Sequence, residues 1–271
     1  MSTSTSTGDI GTLVLPSTGA RKSAVYLYPC IATIILFIVW EIATRYGNIS
    51  PLILPPPTEI FATAAAKFPV LVHMSVVTSY EFVLGFILAA VVGLPLGALI
   101  VYSRPAEMTF YPLLVAFQTI PKAAIAPVLI VWLGTGVTSK ILIAFAISFF
   151  PIVVDTIIGL RSTQPETIYV VLFWHVRLPN ALPAIFGGLK VASTLAVIGA
   201  IVGEFVSSDS GIGYLLLVAN GELDTRLVFA CVLVLTVLGL VFFFIIDALE
   251  KVFVRWHVSA RQADAFATGS T

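Results

Sequence analysis

Long apolar runs separated by short polar stretches dominate the chain. Scanned with a window of about 19 residues, the runs fall near 26–44, 82–101, 110–133, 141–160, 185–206 and 227–249. Each is close to the roughly 20 residues with which a helix crosses about 30 Å of hydrocarbon while bonding every backbone group internally. The pattern predicts an all-α membrane protein of about six transmembrane helices, with both chain ends on one side. The third run is interrupted by "TIPKAAIAP", which places Pro121, Pro127 and Lys122 at membrane depth. Backbone freed from a helix there is tolerated only where protein or a water-filled cavity satisfies it.

Composition agrees with a bilayer as solvent. The chain is 59% hydrophobic and 10% charged, with a mean hydropathy of +1.06, against about 45–50% apolar and about 25% charged in soluble domains. Fourteen basic and 14 acidic residues cancel, so no global field points to nucleic acid. Cys30 and Cys231 both lie inside apolar runs and read as lipid-buried thiols. His73, His175 and His257 are scattered over different loops, and no Ser/His/Asp or metal-ligand constellation is visible. There is no G-x-x-x-x-G-K-[ST] phosphate loop, and the polar segments are too short for a nucleotide-binding domain. The chain therefore reads as a non-enzyme, any energy for transport coming from a partner or an ion gradient. Residues 1–24, rich in Ser, Thr and Gly at the start, read as a disordered tail and not a signal peptide. The membrane domain is assigned to 25–257 and a second tail to 258–271.

The distribution of cations sets an orientation. One face collects Arg21, Lys22, Arg104, Arg161, Arg177, Lys251, Arg255 and Arg261. The other holds Arg45, Lys67, Lys140 and Arg226, beside Glu59, Asp209, Glu222 and Asp224. The positive-inside rule predicts cytoplasmic N- and C-termini.

Several residues within the runs do more than anchor. "GLPLG" sets Gly93 and Gly97 on one small-residue face, suited to packing within the chain or to a dimer seam. Lys122 either marks a solute pathway or snorkels and pairs with a carboxylate. Glu204 and Asp155 pose the same choice. Glu41 and Asp247 lie near an interface, where solvation or pairing suffices.

Six stretches in order now carry a resemblance: "LPPPTEIF" (54–61), "GFILAAVVGLPLGALI" (85–100), "IPKAAIAPVLIVWLGTGVTSK" (120–140), "FFPIVVDTIIGLRS" (149–162), "VRLPNALPAIFGGLKVA" (176–192) and "GEFVSSDSGIGYLL" (203–216). Together they resemble the permease subunits of bacterial ATP-binding-cassette importers, in the branch serving nitrate, sulfonates and taurine. The resemblance implies a MetI-like bundle in the bacterial inner membrane and a path for a small, anionic solute. It implies a second permease copy, an external solute-binding protein and a dimer of ATPase subunits that bind ATP and Mg, leaving this chain without a cofactor. Alternating access would be gated by the broken third helix and the fifth helix, with Pro121, Lys122, Pro127 and Glu204 as pathway residues.

The resemblance also implies a cytoplasmic ATPase-docking loop of the form E-A-A-x3-G-x9-I-x-L-P. Its tail is present as Val176, Arg177, Leu178 and Pro179. Counting back places the glycine on Glu166 and the E-A-A on Leu160, Arg161 and Ser162, none of which fits. The economical reading is that the chain passes from Ile168 directly to the motif's end. Losing on the order of nine residues removes about 13 Å of helical reach, so weak coupling to the ATPase is expected. An ion-coupled secondary transporter and a transport-defective scaffold remain the alternatives.

Overall fold

A computed structural model describes residues 19–47, 49–162 and 178–254. The chain divides into two units, Met1–Val39 with Val258–Thr271, and Trp40–His257. Of the first unit, the described part is the beginning of helix α1 (Gly19–Tyr46), which carries the first apolar run. The second unit contains the end of α1 and all the elements that follow. These are α2 (Pro57–Ala66), α3 (Phe68–Tyr102), α4 (Arg104–Gln118), a 3₁₀ turn (Lys122–Ile125) and α5 (Ala126–Leu133). They continue with α6 (Val137–Arg161), α7 (Leu178–Val206), α8 (Ile212–Gly221) and α9 (Thr225–Phe253).

Among the described residues, α3, α6, α7 and α9 are each long and apolar enough to cross a bilayer. The pair formed by α4 and the segment Lys122–Leu133 supplies a further candidate crossing, bent by 83°. The sequence break at Pro121 and Lys122 thus becomes a sharp change of direction. Proline lacks the N–H that would continue the ladder, and the chain restarts in a 3₁₀ turn before α5. Other prolines open helices, Pro57 beginning α2 and Pro69 and Pro105 sitting in the first turns of α3 and α4, where the missing donor costs nothing, while Pro95, Pro112, Pro151 and Pro183 lie inside α3, α4, α6 and α7. Asp224 closes the start of α9 by accepting the Leu227 N–H at 3.1 Å.

The bundle packs around α6, which lies against both α3 and α7. One core joins Phe82, Phe86 and Ala89 of α3 to Ile152 of α6, Ala192 and Ala196 of α7, and Phe242 of α9. A second core, toward the other end, unites Ile100 and Val101 with Val153, Ile157 and Leu160, and with Ala181 and Ile185. Small residues bring these helices together. Gly93 of α3 lies over Ile152 and Val153, and Gly97 over Thr156, so both face α6 within the chain. Gly85 makes the closest approach: a Cβ there would stand 2.6 Å from Ala144 Cβ and 2.8 Å from the Ile141 carbonyl oxygen.

Because those neighbours include backbone, a side chain at Gly85 must push α3 away from α6. Gly85→Leu is expected to destabilise the protein by about 1–3 kcal/mol, as overpacking does, measured by thermal unfolding in detergent. Gly187→Ala serves as the control, since a Cβ at Gly187 meets nothing within 4 Å. Equal stability of the Gly85 variant would remove close packing as the reason for glycine.

Ionic contacts stitch the rim of the bundle. Lys190 of α7 pairs with Asp247 and Glu250 of α9, and Lys251 adds a second contact to Asp247 at 2.6 Å. Glu41 pairs with Arg45 and also accepts the Thr58 N–H at 3.1 Å in the first turn of α2. Arg161, at the end of α6, reaches Glu107 of α4 at 2.6 Å and lies 5.5 Å from the Tyr111 ring. That contact matters for α4, which buries none of its residues. Cys231 is buried in a core with Leu71 and Ile212, whereas Cys30 is exposed.

Candidate functional site

Two polar features stand out against the apolar bundle. The first is a buried charge cluster at one end. Thr78 and Glu81 lie one turn apart on α3, Lys140 sits in the first turn of α6, and Glu204 lies near the end of α7. Glu81, Lys140 and Glu204 are 0%, 2% and 1% exposed. Lys140 Nζ lies 3.3 Å from Glu81 Oε1, an ion pair off hydrogen-bond geometry, since both Glu81 oxygens lack a hydrogen-bond donor among the described residues. The same ammonium donates to Ser208 Oγ at 2.6 Å.

Glu204 is held from two sides. Its carboxylate accepts the Thr78 hydroxyl at 2.6 Å and the backbone N–H of Gly213. Thr78 Oγ1 in turn accepts the Ile212 N–H at 2.8 Å. Ile212 and Gly213 open α8, so N–H groups without a partner in the helix ladder are met here, Ile212 by the Thr78 hydroxyl and Gly213 by the Glu204 carboxylate, an anion of the sign the helix dipole favours. Gly211 makes the approach possible: its φ of 106° suits glycine, and a Cβ there would collide with the Glu204 carboxylate. The cluster therefore fastens the segment 207–213 and α8 to three membrane helices.

This placement adds detail to two expectations. Lys140 was assigned to a polar face from its position between runs, but it is enclosed and paired. Glu204, expected among the pathway residues, contacts Thr78 and Gly213 within the charge cluster. Glu81 was missed, because it precedes the apolar run 82–101 by one position and so looks interfacial. α3 starts much earlier, at Phe68, which carries Glu81 well inside the helix. Three charges at run boundaries, Glu81 and Lys140 at the starts of their runs and Glu204 at the end of its own, which alternating crossings bring to one side, are the signal that links them.

The second feature is the bend itself. Pro121 and Pro127 are exposed on either side of half-buried Lys122. Lys122 Nζ stands 5.0 Å from the centroid of Phe150 on α6, a cation–π contact. Phe150 also touches Phe117 of α4 at 6.4 Å and Phe149 at 5.3 Å, centroid to centroid. Among the described residues, Lys122 has no carboxylate partner, unlike Lys67, Lys140 and Lys190. Asp155, on the same helix as Phe150, is half-buried against Gly188 of α7 and is not part of either feature. Of the expected ATPase-docking residues, Glu166, Val176 and Arg177 lie outside the described residues, and Leu178 and Pro179 open α7.

A bundle of membrane-length helices, pinned by a buried charge cluster and broken in one crossing around an unpaired lysine, is that of a helical membrane transporter. The chain belongs to the family described as binding-protein-dependent transport system inner membrane component, whose model matches residues 81–255. It is the transmembrane permease subunit of an ATP-binding-cassette importer, a transport component and not an enzyme. Among curated proteins, it is 35% identical to a probable ABC transporter permease protein of Haemophilus influenzae, over 86% of this chain and 98% of that protein. It is 33% identical to the formylaminopyrimidine transport permease protein ThiX of Halalkalibacterium halodurans, over 88% and 98%. It is 30% identical to the putative aliphatic sulfonates transport permease protein SsuC of Bacillus subtilis, over 88% and 91%. The first of these matches runs over 241 residues while covering 86% of a 271-residue chain, so it includes positions this chain lacks. Membership in the family implies a separate ATPase and a solute-binding protein as partners.

Proposed function

We propose that two copies of this chain form the translocation path for a small anionic solute, with the α4/α5 bend facing that path. The carrying observation is Lys122: a half-buried ammonium, positioned by a helix break, whose counter-charge is not a carboxylate among the described residues. An intramembrane cation of this kind is costly unless something pairs with it, and a passing anion would do so. Both termini are assigned to the cytoplasm by the excess of Lys and Arg on that face. ATP binding by the partner ATPase would supply the differential stabilisation that moves the path from inward- to outward-facing.

Lys122→Met keeps the length and apolar stem but removes the charge. Uptake of an anionic solute by the reconstituted importer is expected to fall about tenfold, the equivalent of one lost charge contact of about 1.4 kcal/mol. Unchanged uptake would remove Lys122 from the path.

A second reading, weak coupling, rests on the short spacing from Glu166 to Pro179 in the sequence. It concerns the efficiency of the permease and leaves its class intact.

A further inference from the structure

We propose that the bend is a binding shelf for a planar, conjugated solute with an anionic or carbonyl edge, in preference to a compact aliphatic anion. This rests on the permease reading and narrows its solute. The rings of Phe145, Phe149, Phe150 and Phe117 follow one another from α6 across to α4, with centroid separations of 5.3, 5.3 and 6.4 Å. Phe117 closes the series with half of its surface exposed, and it meets the same Phe150 ring that Lys122 lies over.

The chemistry of that shelf is lopsided. One ammonium offers three N–H donors, and it lies 5.0 Å over the Phe150 ring. A sulfonate or nitrate concentrates charge on three oxygens and needs several converging donors once it leaves water. Here it would meet one cation and a wall of phenyl rings. A conjugated ring spreads its charge, stacks on Phe117 or Phe150 in offset or edge-to-face geometry, and directs one polar edge to Lys122. The other half-buried or buried lysines differ at this point: Lys67, Lys140 and Lys190 are each neutralised by carboxylates of the chain itself.

The test uses the full chain in lipid nanodiscs and saturation-transfer NMR, which detects weak binding. Orotate, a flat pyrimidine carboxylate, and ethanesulfonate, an aliphatic anion of the same charge, are the probes. Transfer to the orotate ring proton is expected, with little to ethanesulfonate. Phe117→Leu, at a half-exposed position that tolerates change, is expected to weaken orotate binding about 2- to 10-fold. Phe150→Leu and Lys122→Met should each do the same, with a monodisperse elution profile confirming that the variants fold. Equal or stronger transfer to ethanesulfonate, or orotate binding indifferent to Phe117→Leu and Lys122→Met, overturns the proposal. Co-purification of the same preparation with its ATPase subunit separates the two levels. If the ATPase is retained and orotate does not bind, the shelf is wrong and the permease reading stands. If neither binds, the permease reading fails with it.

Discussion

Replacing Lys140 with methionine is expected to lower stability by about 3–5 kcal/mol, because it leaves a buried carboxylate with no counter-charge. Glu81 is fully enclosed, and the Lys140 ammonium is the cation beside it. The same substitution takes away the donor that holds Ser208 Oγ. Adding Glu81→Gln to Lys140→Met removes the carboxylate paired with Lys140, while Glu204 keeps its Thr78 and Gly213 donors, so the double variant is expected to recover part of the loss. Such non-additivity is the signature of two groups in one network. Thermal unfolding of all three variants in the same detergent measures it. Additive losses would show that Glu81 and Lys140 act independently.

The loop between α6 and α7 carries the second large effect. A rigid helical knob held by two membrane helices can pass the closure of an ATPase to the pore, and a shortened knob loses reach at about 1.5 Å per residue. Inserting about nine family-like residues after Ile168 restores roughly 13 Å of helix. Solute-stimulated ATP hydrolysis by the reconstituted complex is expected to rise several-fold above that of the native chain. Robust hydrolysis by the native chain, unchanged by the insert, would show that its loop already couples fully.

Much of the architecture was legible in the sequence because apolar runs of membrane length admit few alternatives. The bend was legible too: two prolines and a lysine inside one run have no place in a straight lipid-facing helix. Pairings between distant segments were not. Glu81 and Lys140 each looked like a residue at the edge of a run, since hydropathy reports local solvent preference and says nothing about which helix ends meet. Their burial follows from the start of α3 at Phe68 and from the close approach of α3, α6 and α7 at Gly85, Gly199 and Gly203. The short helix α8 was equally hidden, being apolar but only 10 residues long, and its position depends on Glu204 capturing the Gly213 N–H. The Phe117–Phe150 contact was out of reach for the same reason: two apolar residues in different runs carry no local mark that they stack.

These features give the charge cluster and the bend different mechanical roles. The charge cluster fixes α8 and the segment before it to the scaffold, while the bent α4/α5 pair is tied more lightly. α4 buries none of its residues and meets α6 through the Arg161–Glu107 pair and the Phe117–Phe150 contact. A stiff end and a lightly held, broken helix are what alternating access requires of a path that opens in turn to each side.

The central claim is that ATP hydrolysed by a partner drives solute through this chain. It is tested most directly in proteoliposomes holding the permease and its ATPase, with the solute-binding protein added outside. At whatever rate the native loop permits, accumulation should stop when ATP is withdrawn and continue when ionophores collapse the ion gradients. Accumulation that persists without ATP and follows the gradient would mark an ion-coupled carrier instead.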